Sequence, residues 1–260
     1  MTSIRLQLIG IGTGNPDHLT RAAAKAMAAS DLILLPRKGE RMADLIDLRR
    51  AICADTLTGA TRVVEFDLPA RAATPDYLGD VKDWHDGIAA AWAREIAEHL
   101  PGGGIVALLV WGDPSLYDSS LRIAEQLRVS GMALEVRVVP GITSIQALTA
   151  AHAIPLNRLG APVTITPARR LRETGWPTDT DSIVVMLDAD CAFATLPPGG
   201  IEIWWGAYLG LPQEVLIHGP LADVACLITE RRAALRHHHG WIMDIYLMRR
   251  STQAHHREEK

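Results

Sequence analysis

The sequence predicts an α/β protein with a parallel sheet in its first half and a mixed-sheet α+β domain in its second. Short apolar runs alternate with helical spans between residues 5 and 139, the pattern of strands joined by crossover helices. Two of those runs end in glycine-rich turns, Gly10-Ile11-Gly12-Thr13-Gly14-Asn15-Pro16 and Trp111-Gly112-Asp113-Pro114. Ligands of open α/β sheets bind beyond the carboxyl ends of the strands, where such turns lie. After Pro140 the chain changes character, and stretches of high β-propensity follow one another with short turns.

Taken in order, Arg5 to Gly12 is an apolar strand and Leu19 to Ser30 an Ala-rich helix, with Asp17 or Thr20 as N-cap. Asp31 to Pro36 is a second strand, closed by its proline. Arg41 to Leu57 spaces Met42, Leu45, Ile46, Leu48 and Ile52 by threes and fours, as an amphipathic helix does. Arg62 to Leu68 is a strand, residues 69–80 a loop rich in Pro, Ala and Asp, and Val81 to Leu100 a long helix stopped by Pro101 and three glycines. Ile105 to Trp111 is continuously apolar, as a central parallel strand must be. Ser119 to Ser130 is a helix and Leu134 to Val139 a strand. In the second half, Thr143 to His152 and Val224 to His237 are helices. Pro162 to Pro167, Ser182 to Leu187, Ile201 to Ala207, Glu214 to His218 and Trp241 to Met248 are strands. Residues 1–140 and 141–250 are the expected domains, with 251–260 a disordered polar tail.

Composition narrows the function. Of 260 residues, 48% are hydrophobic and 22% charged, ordinary values for a globular protein. A net charge of −4 lacks the basic footprint of a nucleic-acid binder. Cys53, Cys191 and Cys226 form no CxxC pair, so buried, unreactive thiols in a reducing cytoplasm are expected rather than disulfides or zinc. No apolar run reaches the roughly 20 residues of a membrane span, and the N-terminus lacks the pattern of a signal peptide. No metal is expected. His237-His238-His239 are read as cations at a helix C-terminus stopped by Gly240, and Trp84-His85-Asp86 as a helix opening. At most one of Trp204 and Trp205, which alternate across a strand, faces a ligand.

Glycines at 10, 12 and 14 let a ligand approach backbone closely. Their spacing, G-x-G-x-G-x-P, departs from the G-x-G-x-x-G of dinucleotide folds. Leu35-Pro36-Arg37 also stands where such folds place an acidic residue, so a nicotinamide-dependent oxidoreductase is disfavoured. Pro114 blocks strand continuation, and Asp113 can accept hydrogen bonds from a ligand amine or from neighbouring N–H groups.

Together, Gly10-x-Gly12-x-Gly14-x-Pro16 with Leu19-Thr20, Gly112-Asp113-Pro114 with Tyr117, Val139-Pro140-Gly141-Ile142-Thr143-Ser144, and Ile154-Pro155-Leu156 resemble, in order, the signatures of the tetrapyrrole (corrin/porphyrin) methyltransferases. The resemblance implies two α/β domains with S-adenosylmethionine, the methyl donor, in the cleft between them, and a homodimer. It implies that Pro16 lines the cleft and that Trp111, Gly112, Asp113 and Leu116 contact the amino-acid part and ribose. Thr143 and Ser144 would meet the cofactor at the domain junction. Met186 and Leu187, with Ala207, Tyr208 and Leu209, would hold the adenine mainly through backbone. The family's usual Tyr-Met-Gly stands here as Met186-Leu187-Asp188. Residues 110–119, 155–158, 205–210 and 239–244 resemble more closely one branch of that family, which Trp111, where many members have glycine, also marks. This resemblance implies the step of aerobic cobalamin synthesis that methylates a contracted precorrin at C1 and releases acetate. Other C-methylations of corrin synthesis, and a non-catalytic tetrapyrrole- or nucleotide-binding module, are the alternatives.

Methyl transfer needs chiefly positioning and exclusion of water, which can contribute about 7–11 kcal/mol. Acetate release needs a base for water and a donor for the developing oxyanion. Asp113, Tyr117, Asp118, His85 and His152 are the candidates; Asp113 as base and Tyr117 as donor are favoured. Arginines suit a polycarboxylate substrate, and Arg37, Lys38, Arg41, Arg158, Arg169 and Arg170 lie in predicted loops or at element ends.

Overall fold

The computed structural model describes residues 3–37, 43–70, 74 and 77–251. Lys38, Arg41 and residues 252–260 of the tail lie outside the described residues. The chain divides into two compact units, Met1–Thr143 and Ser144–Lys260.

The first unit contains β1 (Ile4–Gly10), α1 (Arg21–Ala28), β2 (Leu32–Arg37), α2 (Ala43–Thr56), β3 (Arg62–Asp67), α3 (Tyr77–His99), β4 (Gly104–Val110), α4 (Ser120–Val129) and β5 (Leu134–Val139). Its sheet runs β3-β2-β4-β1-β5, every pair parallel. Alternate residues of each central strand serve opposite cores, which is why these strands read as unbroken apolar runs. Leu6, Leu8, Val106 and Leu108 join Ile88, Trp92, Ile123 and Leu127 of α3 and α4. Ile9, Ile11, Ala107 and Leu109 join Ala23 and Met27 of α1 and Ile52 of α2. Gln7 breaks the run, and its buried amide donates to Ala26 O and Ser30 Oγ at 3.2 and 3.1 Å. Of the two N-caps expected for α1, Thr20 is the one used: its Oγ accepts from Ala23 N at 3.0 Å.

The helices after β1 and β4 therefore cover opposite faces of the sheet, although those two strands are neighbours. Such a switch of side between neighbouring strands marks the end of a sheet where ligands bind in folds of this kind.

The second unit contains α5 (Ser144–Ala151), β6 (Val163–Pro167), α6 (Ala168–Thr174), β7 (Ser182–Met186), β8 (Ile201–Ala207), β9 (Val215–Pro220), α7 (Leu221–His239) and β10 (Asp244–Arg250). Its sheet, β6-β7-β10-β8-β9, is parallel only between β6 and β7.

Several expectations are corrected. Helix α6 is an addition to the expected elements; its seven residues follow directly on Pro167, too short to show a periodic apolar face. Helix α3 starts at Tyr77, so Trp84-His85-Asp86 lies inside it rather than opening it. Cys226 is exposed, while Cys53 and Cys191 are buried as expected. The His237–His239 reading agrees with the structure: α7 ends there, and Gly240 caps it at φ +75 with its N–H on Arg236 O at 2.9 Å. Among the described residues no helix is long and apolar enough to cross a membrane.

Candidate active site

The carboxyl ends of β4, β1 and β5 lie side by side, and their turns pack backbone against backbone. Gly12 and Gly112 form an antiparallel bridge, Gly112 N donating to Gly12 O at 2.7 Å and Gly12 N to Gly112 O at 3.4 Å. A methyl group on Gly141 would stand 2.1 Å from Gly112 O, and one on Gly10 would stand 2.6 Å from both Gly112 O and Gly141 N. Only glycine permits this approach. Gly112 is different: it has φ +63, and a Cβ there would meet only the Thr143 Cα, at 3.7 Å. Its α-carbon face is therefore open to close approach, while its N–H and carbonyl are engaged with Gly12.

Asp113, buried, locks the turns together. Its Oδ1 accepts from Ser115 N at 2.8 Å and Ser115 Oγ at 2.5 Å, and its Oδ2 from Gly141 N at 2.9 Å. Burial works to raise the Asp113 pKa. The hydrogen bonds from the Ser115 hydroxyl and from the Gly141 and Ser115 amides outweigh it and hold the carboxyl below the ordinary range. An aspartate so engaged is a brace, and its lowered basicity fits poorly with the general-base role expected from the sequence. Ser115 and Gly141 were not among the expected site residues, although Pro140-Gly141 marked a turn.

Pro16 opens an exposed 3-10 turn, Pro16–His18, in which Asn15 Oδ1 accepts from Asp17 N at 2.9 Å. Trp111 and Leu116 are half-buried. Tyr117 is exposed and held at φ +50, a backbone state rare for a bulky residue and often found at functional sites. Partial burial raises its pKa, so its hydroxyl stays protonated near neutrality. Thr143 and Ser144 are half-buried, Ser144 opening α5.

In the second unit, Met186 ends β7 and Leu187 follows at φ +55, 64% exposed. Ala207 ends β8, and Tyr208 and Leu209 are buried beyond it. The backbone amides and carbonyls of Leu187 and Leu209 make no hydrogen bond with the described residues, so those groups are open to a polar partner. Tyr208 is a correction. Its N–H donates to Met243 O at 2.9 Å, its carbonyl accepts from Leu211 N at 2.9 Å, and its hydroxyl donates to Trp241 O at 2.6 Å. It shapes the turn and has no free amide to offer a ligand. Trp204 and Trp205 are both packed, Trp204 beneath Arg249 and Trp205 with Nε1 on Asp244.

His152 Nε2 lies 3.0 Å from Trp205 O and so carries the proton of that bond, and burial lowers its pKa. His85 is buried, and its Nε2 has no hydrogen-bond partner among the described residues. Three arginines expected on the substrate side are paired within their own units: Arg37 with Asp67, Arg158 with Asp181 and Arg169 with Glu173. Arg170 is exposed.

Glycine turns at adjacent strand ends, an aspartate clamp and a tyrosine at positive φ make the carboxyl end of the first unit's α/β sheet the candidate site. Residues 5–225 match the family model of the tetrapyrrole (corrin/porphyrin) methylases. The chain is 46% identical over 251 residues to precorrin-6A synthase (deacetylating) of Sinorhizobium sp, covering 95% of this chain and 96% of that protein. Among solved structures it resembles a cobalamin-synthesis-related protein (CobF) from Corynebacterium diphtheriae. That match has a TM-score of 0.82 and 38% identity, covering 95% of this chain and 99% of the other. A uroporphyrin-III C-methyltransferase from Thermus thermophilus, solved with the demethylated cofactor, shares the fold: TM-score 0.58, 19% identity, coverage 94% and 91%. The chain belongs to the tetrapyrrole (corrin/porphyrin) methylases. It is a methyltransferase of that class, as its motifs implied.

Proposed function

We propose that this chain is an S-adenosylmethionine-dependent precorrin-6A synthase (deacetylating), methylating precorrin-5 at C1 and releasing acetate. The similarity to the Sinorhizobium enzyme along almost the whole of both chains carries this reading. The glycine cradle supports it, because at Gly112, unlike Gly10 and Gly141, an added Cβ would clash with no neighbour, and the family signature expects the cofactor there.

S-adenosylmethionine supplies a methyl group on a sulfonium that needs no further activation. Pro16, Trp111, Gly112 and Leu116 would position its amino-acid part and ribose, with Thr143 and Ser144 beside them. Backbone at Met186, Leu187, Ala207 and Leu209 would take the adenine. Asp113 acts as a positioning residue that holds the Gly112 and Gly141 turns at fixed spacing. Tyr117, protonated and exposed beside that turn, is the donor suited to an acetyl oxygen as negative charge develops on it. A homodimer in the cytoplasm, acting without metal or nucleic acid, completes the reading.

The test is incubation with precorrin-5 and the methyl donor, with ring mass and free acetate both measured. One methyl gained and one acetate released per ring is the expected result. Methylation without acetate would assign another precorrin C-methyltransferase. No turnover, together with no calorimetric binding of S-adenosylhomocysteine, would leave a non-catalytic module.

A further inference from the structure

The first unit holds a partly open cavity of about 260 Å³ between α2, α3, α4 and the ends of β2 and β4. Its walls are mostly apolar, among them Leu45, Ile88, Trp92 and Ile123. Arg49, projecting from α2, is the cation among the described lining residues. Its guanidinium lies 4.8 Å from the centroid of the Trp111 ring. Its hydrogen bonds go only to main-chain carbonyls, from Nε to Leu109 O at 3.3 Å and from Nη1 to Leu45 O at 3.5 Å. Nη2 donates to none of the described residues, and no carboxylate among them is within ion-pairing distance.

This is an unusual state for a guanidinium. Arg49 is half-buried, and a guanidinium drawn in among apolar walls is normally paired, because its desolvation otherwise goes uncompensated. The second unit follows that rule, with Arg232 on Asp244 and Arg172 on Asp188. Burial pushes the Arg49 pKa down to about 10, against attraction from Asp118, so the group is still a cation at neutral pH. Asp118 also lines the cavity, and its Oδ1 accepts the Ser120 N–H at 2.7 Å at the start of α4. Its charge offsets part of the Arg49 field, which favours a monoanion over a dianion.

We propose that this cavity is a subsite for a short-chain carboxylate, bound by the free edge of the Arg49 fork with its alkyl part on the apolar walls. A guanidinium fork matches a carboxylate in plane, and the Trp111 ring face beneath it favours the cation's position. The volume falls below the roughly 300–1,000 Å³ of pockets that take whole drug-sized ligands, so an arm enters and a macrocycle does not. Under the proposed function, two sources share this chemistry: a carboxylate arm of the precorrin and the acetate set free. The identification of either source rests on that reading; the affinity for carboxylate does not.

The experiment begins with the wild-type enzyme, titrated with sodium acetate and sodium propionate while the Arg49 Nε–Hε resonance is followed. Inorganic phosphate at matched ionic strength serves as the control. Saturable shifts with both carboxylates and none with phosphate are expected; no saturable shift with either carboxylate overturns the subsite. This arm reads the cavity even if precorrin-5 is not turned over, so failure of the subsite and failure of the proposed function remain distinguishable. In Arg49→Met, checked for unchanged S-adenosylhomocysteine affinity, a KM for precorrin-5 raised about tenfold or more with kcat nearly constant assigns the substrate arm. An unchanged KM with loss of inhibition by acetate assigns the released product. Unchanged KM and unchanged acetate inhibition together overturn the proposal. If the variant does not fold, the wild-type titration decides.

Discussion

Asp113 shows how one side chain ties sequence to site. Its carboxylate joins two turns that are 28 positions apart in the chain, through Gly141 N, while also holding Ser115. Asn at this position keeps one acceptor but turns an NH2 toward donors. Asp113→Asn is expected to cost about 1–3 kcal/mol through the donor left unsatisfied and to weaken S-adenosylhomocysteine binding measured by calorimetry. The sign of the pH effect follows from the lowered folded pKa. Asp113 contributes its full stability above the unfolded value of about 3.9 and loses it as pH falls through the lower folded value. Denaturant titrations across that acid window should show this decline in the wild type, and Asp113→Asn should lack it. An identical decline in the variant would remove Asp113 as its source. If the variant binds cofactor normally but releases less acetate per methyl transferred, the brace assignment fails and the base role returns.

At the scale of elements, the second unit depends on a buried polar cluster joining α7, β10 and the loop after β7. Arg232 donates to Asp244 from Nε at 2.8 Å and Nη2 at 3.2 Å, and to the carbonyls of Asp188 and Ala189 at 2.5 and 3.1 Å. Tyr246 Oη donates to Asp188 Oδ2 at 2.7 Å, and Ala192 N reaches the same oxygen at 2.6 Å. Burial raises the pKa of Asp244 in spite of its partner, the mark of a charge whose desolvation is only partly offset. The cluster pins the chain on either side of Leu187, and so fixes the exposed backbone that follows β7. Arg232→Met leaves Asp244 buried without its counter-charge and is expected to cost about 3–5 kcal/mol, measured by chemical denaturation. Pairing it with Asp244→Leu should recover part of that loss. A double variant as unstable as the sum of the singles would show that the pair is not coupled.

For the molecule as a whole, two compact units need not unfold in one step. S-adenosylhomocysteine, if it binds the native chain alone, should stabilise by about 2.7 kcal/mol at a free concentration one hundred times Kd. Differential scanning calorimetry reads this as a rise in Tm. On the assignment of cofactor contacts to both units, both transitions should move. A rise confined to the transition of the first unit would remove Met186, Leu187, Ala207 and Leu209 from the cofactor site.

The strand-helix alternation, the two glycine-rich turns and the family signatures were all legible in the chain, because apolar period, proline blocks and glycine runs are local. Strand order was not, since pairing between distant segments leaves no local trace. Setting β1 between β4 and β5 is what brings Gly10, Gly112 and Gly141 into backbone contact. The same nonlocal packing engages the Tyr208 N–H with Met243 O and seats the Asp113 carboxylate on Gly141 N. Arg49 illustrates the limit most sharply. In the sequence it is one more polar position on an amphipathic helix, and only the closure of α2 over the end of β4 makes it a half-buried cation beside Trp111. A side chain's chemistry is written in the chain, but its solvation and its partners arise when distant segments meet.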